Sequence, residues 1–382
     1  GWLAEAQGKF YMTFYQPVPE GATVPGFEEL QLGQKVAAAR LGDVPLMVTE
    51  KGKATAVGAE GEIPYQLVPN EESRYADLAG RDNTFGTIDY SEEPPWLFLG
   101  RQVTLGEIGL ADARPAERTP GRTTAASMGC PNCGGPLELI APDKAERVTC
   151  PNCKSLLDVN QGNLSYLKAL EPSPTADKFL LQVGQEGTFK DDVKFKILGR
   201  MVRSVTIDGT TYYWHEYLLY NPAIGFRWLV HSDNHWNFVE PVNPAEVTQG
   251  GYFTSGSTVQ YNGRSYKIFQ DSPATVRYVD GEFYWRVEQF ETVRAVDYVS
   301  APLMLSQEMT SDEMNWSLGI YMTNAEVEKA FGVSGLPKPW SVAPNQPFTG
   351  SFYYTWGALP LLGLFVVAVF LLPFTGISST VL

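Results

Sequence analysis

From residue 183 onward the chain is a succession of short apolar and aromatic runs broken by turn residues, the pattern of antiparallel strands. Two stretches match each other: KFKILGRMVRSVTIDGTTYYWHEYLLY from Lys194 and SYKIFQDSPATVRYVDGEFYWRVEQFE from Ser265. Ile197 with Ile268 and Trp214 with Trp285 keep a common offset of 71 residues. Each stretch carries an Asp-Gly, at 208–209 and 280–281, which is a hairpin-turn signal between apolar runs. NPAIG at 221–225 fits a further turn. Upstream, TFGTIDYSEEPPWLF (84–98) resembles GFRWLVHSDNHWNF (225–238), and also FETVRAVDYVSAPLML (290–305) through Asp89/Pro94 and Asp297/Pro302. The pattern predicts a mainly β protein of repeated small antiparallel modules, each a partly open barrel or sandwich.

Module one covers 1–112, with strands from about residue 8. Module two covers 183–247 and module three 250–345, its strands ending near 310. Helix is sparse. Thr323-Asn-Ala-Glu326 is a capping box that opens a short helix stopped by Gly332. Thr310-x-x-Glu313 has the form of a second helix start.

The hydropathy pattern changes at two further places. Residues 113–129, ARPAERTPGRTTAASMG, are rich in Pro, Thr, Ala and Gly and read as a linker. From Gly357 to Ile377, GALPLLGLFVVAVFLLPFTGI carries no charge over 21 residues. A helix needs about 20 such residues to cross a bilayer. Tyr353, Tyr354 and Trp356 stand just ahead of it, where an interfacial aromatic belt belongs. A transmembrane helix over 357–377 is the expectation, with the membrane as a partner through it.

Composition narrows the function classes. At 382 residues, two to four domains are expected, and 44% hydrophobic with 19% charged residues is ordinary globular usage. The formal net charge of -14 disfavours nucleic acid and anionic lipid as general partners. The chain opens Gly1-Trp2-Leu3 without Met, which reads as a fragment or a processed form. No basic stretch followed by an apolar one near the start suggests a secretory signal.

All four cysteines fall in one segment, 130–159. Cys130-Pro-Asn-Cys133 and Cys150-Pro-Asn-Cys153 are separated by 16 residues, the spacing of a C-x2-C…C-x2-C zinc site. Each C-P-x-C turn puts two thiolates on one side of a knuckle, and two knuckles complete a tetrahedron. Two disulfides or a redox pair would use the same residues. A redox motif comes once, beside a βαβ pattern, and nothing here alternates that way. Four thiolates leave no open position on the metal, so Cys130, Cys133, Cys150 and Cys153 are expected to hold Zn2+ structurally. LELIAPDKAERVTC between the pairs reads as strand, turn, strand. The segment has no basic stripe and no aromatic residue, which argues against nucleic acid. Thiolate zinc ligation fits a reducing compartment, so the expected location is the membrane, with the bulk of the chain facing the cytoplasm.

Catalytic signatures are missing. No G-x-S-x-G, P-loop, strand-borne G-x-G-x-x-G or H-E-x-x-H occurs. His215, His231 and His235 could be drawn as a metal site, but polar ends of an aromatic sheet explain them better. Glu60, Glu62, Glu216 and Glu288 are the carboxylates to follow, each also a natural cross-strand partner for Lys or Arg. Trp214, Trp228, Trp236, Trp285 and Trp316 could form an exposed aromatic face, although core packing accounts for most of them. No catalytic or cofactor-binding residue is assigned, and the balance leans away from an enzyme.

WHEYLLYNPAIGFRWLVHSDNHWNFVEP (214–241) and SAPLMLSQEMTSDEMNWSLGIYMTNAEVEKAFG (300–332) resemble the bacterial domain-of-unknown-function 4178 family over about 183–335. Tyr220, Gly225, Phe226, Trp228 and Leu229 carry its Tyr…Gly-x-x-Trp-Leu pattern. The resemblance implies a zinc ribbon, this domain and a membrane segment in that order, and it carries no reaction. Its members are similar to proteins encoded near polyamine-synthesis enzymes and small membrane proteins, which implies an accessory or envelope-stress role. The leading expectation is a membrane-anchored accessory or scaffold protein with protein partners. The competing one is a sensor or enzyme with a pocket between β modules for a small cationic ligand, suited by the acidic charge.

Overall fold

Alternating apolar positions turn residues 2–103 into an antiparallel sheet. Its strands are β1 (Trp2–Ala6), β2 (Lys9–Gln16), β3 (Lys35–Leu41), β4 (Val44–Thr55), β5 (Glu72–Ala79), β6 (Thr84–Asp89) and β7 (Trp96–Val103), in the order β1-β2-β7-β6-β5-β4-β3. Leu46 and Val48, Ala76 and Leu78, Ile88, Leu97 and Leu99 stand two residues apart on neighbouring strands. They therefore share one face, over which Val18, Ala22, Val24 and Leu30 fold. The computed structural model describes residues 1–6, 9–41, 44–56, 70–110, 128–142, 144–160, 163–249, 257–339 and 341–347, with positions 58, 61, 62 and 68. The 357–377 run and all but the last two residues of the 113–129 linker lie outside the described residues. Among the described residues no helix is long and apolar enough to cross a membrane.

The remaining strands are β8 (Arg147–Thr149), β9 (Ser155–Asn160), β10 (Asn163–Ala169), β11 (Glu186–Thr188), β12 (Lys194–Ile207), β13 (Thr210–Asn221), β14 (Gly225–Ser232), β15 (His235–Val242), β16 (Thr248–Gln249), β17 (Thr258–Tyr261), β18 (Arg264–Phe283), β19 (Thr292–Ser300), β20 (Leu303–Met309) and β21 (Met314–Met322). Eight of them close on themselves. Each strand pairs antiparallel with the next in the series β12-β13-β14-β15-β21-β20-β19-β18, and β18 returns to β12. The protein is mainly β, as the pattern predicted. Modules two and three, read as separate, supply four strands each to this single barrel.

The local signals divide. Asp208-Gly209 is a two-residue hairpin, with Ile207 facing Thr210 and positive φ at both turn residues. Asp233-Asn234 makes the same kind of turn between β14 and β15. Asn221 closes the NPAIG turn by accepting the Ala223 and Ile224 N–H groups at 2.8 and 3.1 Å. Asp280-Gly281 is not a hairpin. It lies inside the 20-residue β18, with Gly281 opposite Gly199 of β12. The close approach explains it: a Cβ on Gly281 would stand 2.3 Å from the Leu198 carbonyl oxygen. The 71-residue match therefore aligns a turn with a strand interior and is not a structural repeat.

Helix α1 (Asn324–Phe331) has the predicted capping box on Thr323 and Glu326 and ends at Gly332 in the left-handed region. It buries Val327 and Phe331 against the barrel. Thr310 opens no helix. Its hydroxyl accepts the Asp312 and Glu313 N–H groups in the turn between β20 and β21. The first sheet meets the barrel at this turn, where Lys51 N–H donates to the Asp312 carbonyl at 2.8 Å. Leu32 and Met47 pack there on the cluster of Val242, Tyr298, Leu305 and Trp316.

Candidate metal centre

Two copies of one turn build the site. In the first, Cys130 N–H donates to the Gly135 carbonyl and Gly134 N–H to the Cys130 carbonyl, both at 2.8 Å. In the second, Cys150 N–H donates to the Ser155 carbonyl at 2.9 Å and Lys154 N–H to the Cys150 carbonyl at 3.0 Å. Gly134 and Lys154 take the same left-handed backbone position, φ 71° and 57°. The Cys-Pro-Asn-Cys spacing thus generates the same knuckle twice, each aiming two sulfurs inward.

The four sulfurs lie within 4.8 Å of one another. Cys130 Sγ is 3.7 Å from Cys153 Sγ, and Cys133 Sγ is 3.8 Å from Cys150 Sγ. A tetrahedron with metal–sulfur bonds of about 2.3 Å has edges of about 3.8 Å. These separations are those of co-ligands and far exceed the roughly 2.05 Å of a disulfide. The cysteines are free thiols, Cys130 and Cys150 buried and Cys133 exposed at the rim. The cluster is compatible with a metal site.

The electrostatics agree. The Ser155 hydroxyl and backbone N–H draw the Cys153 thiol down to about 5. The Gly135 N–H pulls Cys133 the same way, but hydrogen bonding with the other sulfurs outweighs it and pushes that thiol up to about 12. Four crowded sulfurs cannot all ionise without a cation among them. Two asparagines cross between the knuckles. Asn132 donates to Cys153 Sγ at 3.6 Å and to the Ser155 hydroxyl at 3.0 Å, and Asn152 reaches the Pro136 carbonyl at 3.4 Å. Sequence reasoning passed over both, although the repeated Asn in CPNC was a signal for them.

The ribbon differs from its expected form. The LELI stretch is not a strand. Its last N–H, from Ile140, and that of Ala141 are taken by the buried carboxylate of Glu282. β8, β9 and β10 form the ribbon sheet, and β8 pairs with the end of β18 through Val148–Glu282 and Arg147–Phe283. Thr149 adds a hydroxyl donation to the Val279 carbonyl at 3.1 Å.

The other candidate residues are placed apart from this centre. His215, His231 and His235 are all buried. His235 bonds the Tyr321 hydroxyl at 2.9 Å and the Ser341 carbonyl at 3.1 Å. Glu216 lies within the barrel, where Arg203 of β12 contacts both it and Glu308 of β20. Because β12 and β20 are not neighbours, this guanidinium crosses the lumen. Trp214 Nε1 also donates to Glu216 at 2.6 Å. Burial raises the Glu216 carboxyl while Arg203 opposes it. Glu288 is a surface partner of Lys168, Glu62 is exposed, and Glu60 lies outside the described residues. Trp236 and Trp316 are buried, and Trp214, Trp228 and Trp285 half-buried, so these five make no exposed face. Exposed aromatics occur elsewhere. Trp2, Tyr15 and Trp96 on one face of β1, β2 and β7, and Phe14 on the other, are 38% to 57% exposed.

Comparison with known proteins assigns part of the chain. Residues 182–324 match DUF4178, a domain family of unknown function. The match runs from just before β11 through β21, so it covers the barrel and neither the ribbon nor the first sheet. No curated protein and no solved structure matches the chain. The barrel over which this match runs carries β18, the strand to which the ribbon is joined. Where the two meet, Leu198, Phe226, Glu282 and Tyr284 help line a shallow depression open to solvent.

Proposed function

We propose that this chain is a membrane-anchored accessory protein that docks partner proteins on its β body, with Cys130, Cys133, Cys150 and Cys153 holding structural zinc. The observation that carries the docking reading is the exposed group of Trp2, Tyr15 and Trp96, which the strand register places on one face of three neighbouring strands. Tyr15 and Trp96 pack edge to face at 5.5 Å, and Trp96 stacks on Phe98 at 6.1 Å, so the patch is preassembled. Aromatic surface of this kind is unfavourable in water and is stabilised when a partner covers it. Zinc is supported by an all-sulfur set of four closely spaced thiols, and its structural role by the fourth sulfur, which closes the coordination sphere. The anchor is the uncharged run at 357–377, and free thiols favour a body on the cytoplasmic side.

The test is crosslinking and pull-down from native membranes. Three chains are compared: the intact one, one ending at Gly350, and one with Tyr15→Asp and Trp96→Asp. The expected result is a defined partner captured by the intact chain and lost in both variants. Capture that ignores both changes, or no partner with any chain, overturns the reading. Elemental analysis of the purified protein should give one zinc per chain; another metal at that stoichiometry, or none, overturns the zinc assignment.

A further inference from the structure

The ribbon is tied to the barrel by residues 170–185, which lie across the outer face of β12 and β13. Phe179 and Leu181 are buried there among Ile197, Tyr217 and Trp236. Leu180 N–H donates to the Tyr217 hydroxyl at 2.9 Å, and Arg200 caps the Leu181 carbonyl at 2.9 Å while covering the Phe179 ring at 4.5 Å. Beneath this connection two histidines pair across the strands. His215 faces His231 with ring centres 5.8 Å apart, and His231 lies on Trp236 at 4.3 Å. His215 Nε2 bonds the Thr175 carbonyl at 3.0 Å, and its ring meets Phe179 at 4.9 Å.

His231 is the unusual member. It is 7% exposed, and neither ring nitrogen has a hydrogen-bond partner; Asn234 approaches without the geometry of one. Ser173 Oγ, Thr175 Oγ1 and Trp236 Nε1 are buried and unbonded as well. A neutral imidazole tolerates a place between two rings because half its surface is apolar. An imidazolium has two N–H donors and a full charge, and needs acceptors or water. The charged groups facing the pair are Lys178 and Arg200, which oppose protonation of His215, and Asp177, which favours it, with His235 beside His231.

We propose that the His215–His231 pair is an acid-operated latch: the neutral rings hold residues 171–181 on the DUF4178 barrel, and proton uptake releases them. Release exposes the rings to water and frees the connection between ribbon and barrel. Burial and the neighbouring His215 pull His231 down to about 4, and burial lowers His215. In the undocked state both return toward about 6.5. Docking is therefore fully favoured above about pH 6.5 and weakens as pH falls toward 4.

The test is hydrogen exchange on the full chain, comparing protection factors of the amides at 178–182 at pH 7.5 and 5.0. The amides at 147–160 serve as reference, with zinc content measured on the same samples. His231 alone should cut protection of 178–182 by about 30-fold over this range. His231→Phe keeps the stacking on Trp236 and should remove most of that drop. Protection that stays flat in the unaltered protein, or an equal drop in His231→Phe, overturns the proposal. Should His231→Phe fail to fold, the imidazole of His231 is titrated by NMR in the unaltered protein. A midpoint well below 6.5 supports the latch, and one at or above 6.5 overturns it.

Discussion

Cys133 sits at the exposed rim of the cluster while Cys130 and Cys150 are buried, so its sulfur is the first that a competing ligand reaches. Cys133→Ser replaces a thiolate by a hydroxyl, a poor zinc ligand, and should weaken folding by a few of the roughly 10–16 kcal/mol that structural zinc contributes. A lower melting temperature together with zinc lost to a mild chelator is the expected result; full retention at an unchanged melting temperature would contradict it. Glu282 illustrates the opposite kind of residue. Burial pushes its carboxyl up to about 7, although the Ile140 and Ala141 N–H groups pull it down. The unfolded chain releases this proton near 4.5 and the folded one near 7. The folded state is thus favoured below about 4.5 and loses on the order of 3 kcal/mol as pH rises to about 7. Glu282→Gln should flatten urea-derived stability between pH 5 and 7, leaving a residual slope from Asp77, whose carboxyl burial also raises to about 7. An unaltered slope would show that Glu282 is not the titrating group. The cysteines were legible because their spacing is local. Glu282 was not, because its partners stand about 140 residues away in the ribbon.

At the scale of elements, the same dipeptide has two fates. Asp208-Gly209 has open space around it, and a Cβ on Gly209 would meet nothing within 4 Å. Gly281, at φ 95°, has the Leu198 carbonyl oxygen at 2.3 Å and the Gly199 Cα at 2.8 Å from its missing Cβ. Gly209→Ala should therefore cost about 1 kcal/mol, for the left-handed backbone alone. Gly281→Ala adds a backbone clash between β12 and β18 and should cost about 3 kcal/mol or more. Parallel denaturant titrations decide it, and equal costs would mean that the strands separate without penalty. Nothing local distinguishes the two sites, since both follow apolar runs and both precede Tyr-Trp. The difference is the presence of β12 against Gly281, which is a property of barrel closure. Helix α1 was legible for the converse reason: its cap, Thr323 with Glu326, and its stop, Gly332, are complete within ten residues.

Across the whole molecule the ribbon sheet is not an appended knob, because β8 continues the hydrogen bonding of β18. That one strand also closes the barrel against β12 and pairs with β19. Glu282 seals the joint from the barrel side, and Asp280 binds Arg200 at 2.8 Å and Lys154 of the second knuckle at 3.6 Å. Metal loss should therefore not stay local. Once the knuckles loosen, the Ile140 and Ala141 N–H groups withdraw and the buried Glu282 carboxyl loses both partners, while Asp280 keeps Arg200. A buried polar group left without its hydrogen bonds costs about 1–3 kcal/mol, more where it is charged. Calorimetry of the chain with and without a zinc chelator should show a single transition for the ribbon and the barrel, displaced downward together by chelation. A barrel transition unmoved by chelation, with a separate ribbon transition lost, would mean that the shared strand transmits nothing. The same continuity makes the metal a clamp on barrel closure, so that chelation should open the β12–β18 seam, read by hydrogen exchange at 199–204 and 275–281, before it reaches strands β14 and β15 on the far side.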